Sequence, residues 1–499
     1  MGRCHRNLLI DPAHYATAQL RTGPPVTYAA AQRTLHGYDY GKYAQLSSSQ
    51  SIKLLIKKNF GTTVIVGAGA AGCVLASKLS EDKNVSVLLL EAGGDNTKVL
   101  EAKGSLMFPK LFHTQHDWDY YTVEQPQLSS RRLYWPRGRI MGGSTSLNAM
   151  MYHHRAQSDF EQWASVHGCD GWGYDDLATY LRRMEKFTPN PARPPMDVQT
   201  HGSSGDWQTG YSWLSEIIEK GFIPACHDAG ILANTDVNTR EGTLGVVPFQ
   251  TFIDQKGQRS SLATAFLTPD VLERDNLFVA YHAHVIRVLF DCLTSADPTA
   301  IGVEFQTSRG GSLFQVHARI EVILCGGAIN TAQVLMLSGI GPGNDLMSLG
   351  IPVIQKNEAV GRNLKDHLYP TPIICKAKPD KNLDYLWNNV RALLALLQWK
   401  LLGRGPLTSN AGEAAAFIRS LDFQFAKSSS GPPKDNTSGP MGPDLEIIGV
   451  PLAFIHHSEE LVADGSSVLS IVLTHLRPLS VGTISLRSRD AYDPRRYCY

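Results

Sequence analysis

Three glycines, Gly67, Gly69 and Gly72, stand in the spacing G-x-G-x-x-G. The first two let a backbone turn tightly and come close to a pyrophosphate, and the third lets a helix pack close to a strand. A helix that starts there offers unpaired N–H groups and a partial positive charge to the phosphates. Glu91 follows about 20 residues later. A carboxylate at that distance accepts ribose hydroxyls and repels a 2′-phosphate. This is dinucleotide chemistry, with NAD or FAD favoured over NADP.

A second small-residue turn runs Trp135-Pro136-Arg137-Gly138-Arg139-Ile140-Met141-Gly142-Gly143-Ser144-Thr145-Ser146-Leu147-Asn148. Gly142 and Gly143 permit another close backbone approach, and Ser144 and Asn148 supply hydrogen bonds. Standing alone it would be a structural turn. Beside the first motif it favours FAD, because a two-domain NAD dehydrogenase has no evident need for it.

These residues need elements to position them. Thr62 to Val66 is a short β-branched run, the glycine turn follows, and Cys73 to Leu79 continues as a helix. A second apolar run, Val85 to Leu90, ends at Glu91-Ala92-Gly93-Gly94, so the unit reads as βαβ. Later, Val322-Ile323-Leu324-Cys325 leads into Gly326-Gly327 and another helix. Asp175 and Asp176 are placed to cap a helix with Leu177, Tyr180, Leu181 and Met184 on its apolar face. Several short strands are expected over 244–325, an amphipathic helix over Leu386 to Leu402, and a surface loop over Ser428 to Pro443. There is no internal repeat.

The 499 residues include 47 Lys+Arg and 46 Asp+Glu, a net charge of +1, which argues against nucleic acid as a partner. At 43% hydrophobic and 19% charged the chain is globular, long enough for two or three domains. Its eight cysteines are scattered without C-x-x-C or zinc spacing, so free thiols are expected, Cys73 and Cys325 as small core residues. No apolar run is long enough for a membrane span, and no signal-peptide core is evident. Residues 1–60 are basic and read as an irregular extension or a mitochondrial transit segment, with an intracellular location favoured.

Together these residues resemble the glucose–methanol–choline (GMC) oxidoreductases, FAD enzymes that oxidise alcohols, and their fungal members most of all. The likeness covers about residues 61 to 490. Gly67 to Gly72 with Glu91-Ala92-Gly93 resembles the ADP-binding unit, and Gly142 to Asn148 the first family signature. Gly327-Ala328-Ile329-Asn330-Thr331-Ala332-Gln333, continuing to Ser338-Gly339-Ile340-Gly341, resembles the second. Val360 to His367 is a further landmark. Ala332 stands where the family usually has Pro or Ser, and Arg155 where a small residue is common.

The resemblance implies an α/β fold: a Rossmann-like FAD-binding domain interleaved with a substrate domain of antiparallel sheet plus helices. Its boundaries would be 61–345 for the FAD-binding region with insertions, 346–470 for the substrate region and 471–499 for the start of a C-terminal domain. It also implies that Gly67, Gly69, Ala70, Ala71 and Gly72 approach the cofactor backbone, and that Glu91, with Ala92 beside it, holds the adenosine ribose. Gly143, Ser144, Asn148, Ala149, Met150 and Met151 would lie on the flavin side, and Val285 would offer main-chain contacts to the adenine end.

The implied reaction is hydride removal from an alcohol carbon to flavin N5, with a base taking the hydroxyl proton. In the family that base is a His, paired with a second His or Asn, well past the segment resembling Leu476 to Leu486. The expectation is therefore no catalytic base before Tyr499, and a truncated and impaired enzyme. The other reading is an inactive flavin-binding remnant or fragment. His475, His456-His457, His367 and His153-His154 are expected to be structural. His282 and His284 have no evident third partner, so no metal is expected.

Overall fold

The computed structural model describes residues 45–46, 63–193, 196–291, 297–387, 389–423, 435–458, 466–493 and 496–498. Most of the basic extension, and residues 428–434 of the Ser/Gly/Pro-rich loop, lie outside them.

The first sheet is parallel. Its strands are β1 (Thr63–Val66), β2 (Val87–Leu90), β3 (Leu277–Ala280) and β4 (Glu321–Leu324), in the order β3-β2-β1-β4. That is the strand order of a nucleotide-binding half of a doubly wound fold. Gln45–Leu46, from the extension expected to be irregular, adds a two-residue edge strand beside β3. β1 and β2 are buried at every position, as parallel strands covered on both faces must be. On one face Ile65, Val87 and Leu89 pack against Cys73 and Ala76 of α1 (Ala70–Leu79) and against Leu262 to Leu272. On the other, Val64, Val66, Leu88 and Leu90 pack against a three-stranded antiparallel sheet, 284–291, 299–306 and 313–317, that forms the crossover from β3 to β4. α2 (Gly327–Leu337) follows β4.

The second large sheet is antiparallel, ordered 373–376, 468–475, 445–450, 414–418 and 245–248. Its last strand comes from between β2 and β3, which interleaves the two halves of the molecule. Ile140, Leu147, Ala149 and Met151 lie in one core with Val247, Phe249, Phe417 and Ile448. The second glycine segment is thus held between the two large sheets.

Two local expectations change. The helix Tyr174–Met184 starts after Gly173, whose N–H donates to Asp176 at 3.1 Å. Asp175 instead pairs with Arg240, and Tyr180 is exposed rather than on the buried face. The helix expected over 386–402 forms as α3 (Asn389–Leu402), but its outward side is apolar: Ala395 and Trp399 face in, whereas Leu393, Leu394, Leu397 and Leu401 face out.

Candidate cofactor and active site

Where β1 ends, Gly67 takes φ +97°, and its N–H donates to the Leu90 carbonyl at 2.8 Å. A Cβ here would lie 2.7 Å from the Cys325 carbonyl oxygen, so only glycine fits. A side chain at Gly72 would collide with the Gly67 carbonyl, which lets α1 press onto β1. α1 begins at Gly69 with no side-chain cap, so its first N–H groups are left for another acceptor. Ala70 and Ala71, the next two residues, are exposed.

Glu91 ends β2 and is buried. One carboxylate oxygen accepts from Ala68 N–H at 2.8 Å and the other from Gly93 N–H at 2.7 Å. Burial pushes its pKa up to about 7, against those hydrogen bonds and the nearby Arg139 charge. Each oxygen keeps a lone pair for a further donor.

The second glycine turn docks onto the first. Gly142 N–H donates to the Ala68 carbonyl at 2.7 Å, and a Cβ on Gly143, at φ +54°, would lie 2.9 Å from the Gly69 Cα. Ser144 is exposed at this junction and accepts from Gly138 N–H at 3.2 Å. Asn148 is exposed too. Its Oδ1 accepts from Arg259 Nη1 at 2.8 Å and from Met150 N–H at 3.2 Å, and Met150 is held at φ +55°. Arg259 is itself buried and also donates to the Thr145 carbonyl, while its Nε and Nη2 have no hydrogen-bond partner among the described residues.

A cavity of about 490 Å³ opens where these turns meet, at the carboxyl ends of β1, β2 and β4. It is lined by Gly67, Gly69, Ala70, Ala71, Glu91, Ala92, Gly143, Ser144 and Val285 among the residues singled out from the sequence. Gly72 is not on its wall, because it faces the strand. Asn148, Ala149, Met150 and Met151 are not either: the chain there runs past the cavity toward the antiparallel sheet, where Asn410 Nδ2 donates to the Ala149 carbonyl at 3.1 Å. Other parts of the wall lie outside the site expected from the sequence, among them Trp118, Tyr120, Arg137, His284 and Gly326 to Thr331 at the start of α2. Tyr120 OH donates to Asn330 Oδ1 at 2.6 Å, tying that wall to α2. The signal for α2 was legible: strand, Gly326-Gly327, helix repeats the pattern at Gly67.

Of the histidines singled out from the sequence, His153, His154, His367, His456, His457 and His475 do not line the cavity. The His153 ring lies against Phe249 and Phe417, with centroids 5.7 and 5.1 Å away, and burial lowers its pKa. His367 is lowered by burial, and its charge and that of His153 oppose one another. His475 N–H donates to the Leu368 carbonyl at a strand end. His457 sits among the rings of Phe112, Tyr134 and Phe454. His154 Nε2 bonds Tyr152 OH. Arg155 turns away, its guanidinium 4.8 Å from the Trp163 ring centroid. His284 is buried against Trp118, apart from the one cluster of metal-ligand type among the described residues, His113, Asp117 and Asp119. There Asp117 already accepts from Tyr134 OH and from the His113 and Arg137 N–H groups, and His113 pairs with Asp119. Cys73, Cys169, Cys226, Cys325 and Cys375 are free thiols.

A family described as GMC oxidoreductase matches residues 62–369. The chain belongs to the GMC oxidoreductases. It is 38% identical over 441 residues to dehydrogenase str4 of Strobilurus tenacellus, covering 86% of this chain and 71% of that one. The mitochondrial choline dehydrogenase of Mus musculus is 33% identical, with 88% and 69% covered. Among solved structures, a formate oxidase from Aspergillus oryzae superposes with a TM-score of 0.77 at 26% identity, over 87% of this chain and 76% of that one. Pyridoxine 4-oxidase superposes with a TM-score of 0.70 at 27% identity, over 87% and 75%. This GMC oxidoreductase is therefore an FAD-dependent oxidoreductase enzyme. Its residues suit that cofactor: two backbone turns stripped of side chains meet an uncapped helix start, with a carboxylate beyond. Among the described residues no helix is long and apolar enough to cross a membrane.

Proposed function

We propose that this GMC oxidoreductase oxidises the CH–OH group of a small alcohol, with FAD held where the two glycine turns meet. The seating of Gly143 on Gly69 carries the reading, because it brings bare backbone from two distant segments to one cavity at the strand ends. Bound there, FAD supplies the hydride acceptor. The chain's own residues bind and orient. The first turn of α1, with Gly67, Gly69, Ala70 and Ala71, faces the pyrophosphate. Glu91 takes a ribose hydroxyl on its remaining lone pairs, with Ala92 beside it, and the Val285 backbone borders the adenine. Gly143 and Ser144 lie beside the flavin, and the run Asn148, Ala149, Met150 and Met151 leads from it to the substrate side. Region 61–345 is read as FAD-binding, 346–470 as substrate-facing and 471–499 as the start of a further domain.

None of the described histidines is assigned as the base. His153, His154, His367 and His457 are lowered by burial, and none of them lines the cofactor cavity.

The test is reduction of the bound flavin by a panel of primary alcohols without oxygen. Bleaching of the flavin bands by at least one alcohol is expected. Tight FAD binding with no reduction by any would favour an inactive flavin-binding protein.

A further inference from the structure

A surface helix in water keeps its apolar residues inward, and α3 carries apolar residues on its outer side as well. Ala395 and Trp399 are buried, with the Trp399 indole N–H donating to the Gly257 carbonyl at 2.7 Å. At about 100° per residue, Val390, Leu394, Leu397 and Leu401 form one stripe opposite Trp399, and Leu394 and Leu401 are 61% and 78% exposed. An uncovered row of leucines of this kind marks a contact surface.

The charges around it are one-sided. Between residues 385 and 412 the sequence has Arg391, Lys400 and Arg404 and no Asp or Glu. Arg391 is paired with Asp380, but among the described residues no carboxylate pairs with Lys400 or Arg404. Lys400 stands on one flank of the stripe, and Arg404 follows its end. Trp213, 42% exposed, shares a surface hollow with Gly403 and Arg404. Leucines on one side, cations along the flank and an aromatic at the end suit a helix lying in a lipid interface. Lys400 Nζ lies 5.1 Å from the Trp399 ring centroid, a contact that leaves its charge unneutralised. A second copy suits it less, since a symmetric contact would bring cations without carboxylate partners close to those of the other copy. At 14 residues α3 is about 21 Å long, too short to span a bilayer.

We propose that α3 docks this protein on an anionic membrane surface, its Leu stripe sunk among the acyl chains and Lys400 and Arg404 among the headgroups. The test is flotation of the full chain with vesicles of about one-third phosphatidylserine in phosphatidylcholine, and with phosphatidylcholine alone. Wild type is expected to float with the anionic vesicles. The double variant Leu394→Glu, Leu397→Glu should lose at least about tenfold of its bound fraction, with an unchanged circular dichroism spectrum. Lys400→Glu with Arg404→Glu should weaken binding to anionic vesicles and leave the weak binding to neutral ones as it was. Wild type that stays with the soluble fraction would overturn the proposal, and so would equal flotation of the Leu variant. A concentration-dependent dimer broken by the same variant, without flotation, would assign the stripe to a second copy and also overturn it.

Discussion

Gly143 rests on Gly69: the smallest side chain at Gly143 would stand 2.9 Å from the Gly69 Cα. Two glycine motifs that lie more than 70 residues apart in the sequence are thus a single object in space. Gly143 cannot take a side chain without moving the first turn, because the obstacle there is backbone.

Gly143→Ala should therefore be worse than Gly69→Ala. The first combines φ +54° with a backbone clash, and about 1–3 kcal/mol of stability should be lost along with the flavin. At Gly69 the nearest atom to an added Cβ is the Cys325 carbonyl oxygen at 3.8 Å, so the fold should tolerate Ala. Gly69→Val would project into the cavity and should remove FAD while the thermal midpoint of the apoprotein stays near wild type. Thermal melts and flavin content of the three variants check this.

Glu91 predicts a pH dependence of FAD binding. Its pKa is raised to about 7 by burial, and a ribose hydroxyl donates only to the ionised or acceptor form of the carboxyl. Binding thus releases protons, and FAD affinity should rise as pH increases through about 7 and level off above it. Glu91→Gln should flatten that curve. Glu91→Ala should weaken binding by about 1.5–3 kcal/mol and loosen the turn, since the Ala68 and Gly93 N–H groups lose their acceptor. FAD titrations at several pH values separate the two variants.

Arg259 holds the segment beyond Ser144 through Asn148 and Thr145. It does so as a buried guanidinium with two nitrogens unpartnered among the described residues, its pKa lowered to about 9 by burial. Replacing a poorly compensated buried charge by an apolar side chain of similar volume is often neutral or stabilising. Arg259→Met should leave the thermal midpoint equal or higher, yet slow flavin reduction, because Asn148 and the left-handed Met150 lose their anchor. A large fall in stability would mean that Arg259 serves the fold rather than the segment.

Stability against pH should follow the buried carboxyls. Burial is the cause that raises Glu446 to about 7 from 4.5. For an acid whose folded pKa is raised, the stabilising contribution is full below the unfolded value and is lost as pH rises through the folded one. His201 adds to the loss at higher pH. Burial alone would lower it, but hydrogen bonds to Asp236 and Glu185 outweigh that and hold it at about 9. The wild-type thermal midpoint should fall as pH goes from about 4.5 to 9, and Glu446→Gln should remove the part of that fall between about 4.5 and 7. An unchanged slope would show that Glu446 is ionised in the fold without cost.

The βαβ unit was legible because β1 and β2 are short apolar runs separated by an unmistakable glycine turn. The order β3-β2-β1-β4 was not, since β3 lies almost two hundred residues beyond β2 and nothing local in its sequence names its neighbour. Trp118 and Tyr120 sit at or beside a two-residue strand, and His284 at the first position of its strand, too short or too terminal for a period to mark them as facing the cavity. Arg259 gave no signal, because a lone charge reads as exposed. The outward leucines of α3 were hidden for another reason: with Ala395 and Trp399 on one side and leucines on the other, its sequence has apolar residues on both sides, and periodicity does not say which side the fold covers. His201 likewise reads as an isolated histidine until folding sets Glu185 and Asp236 on its two nitrogens.

The most direct measurement is titration of the purified chain with FAD, and in parallel with NADH, following flavin fluorescence and absorbance. The account predicts saturable binding of one FAD per chain, with NADH failing to compete, and loss of that binding in Gly143→Ala. A colourless protein that takes no FAD but binds NADH tightly, or wild-type FAD affinity in Gly143→Ala, would contradict it.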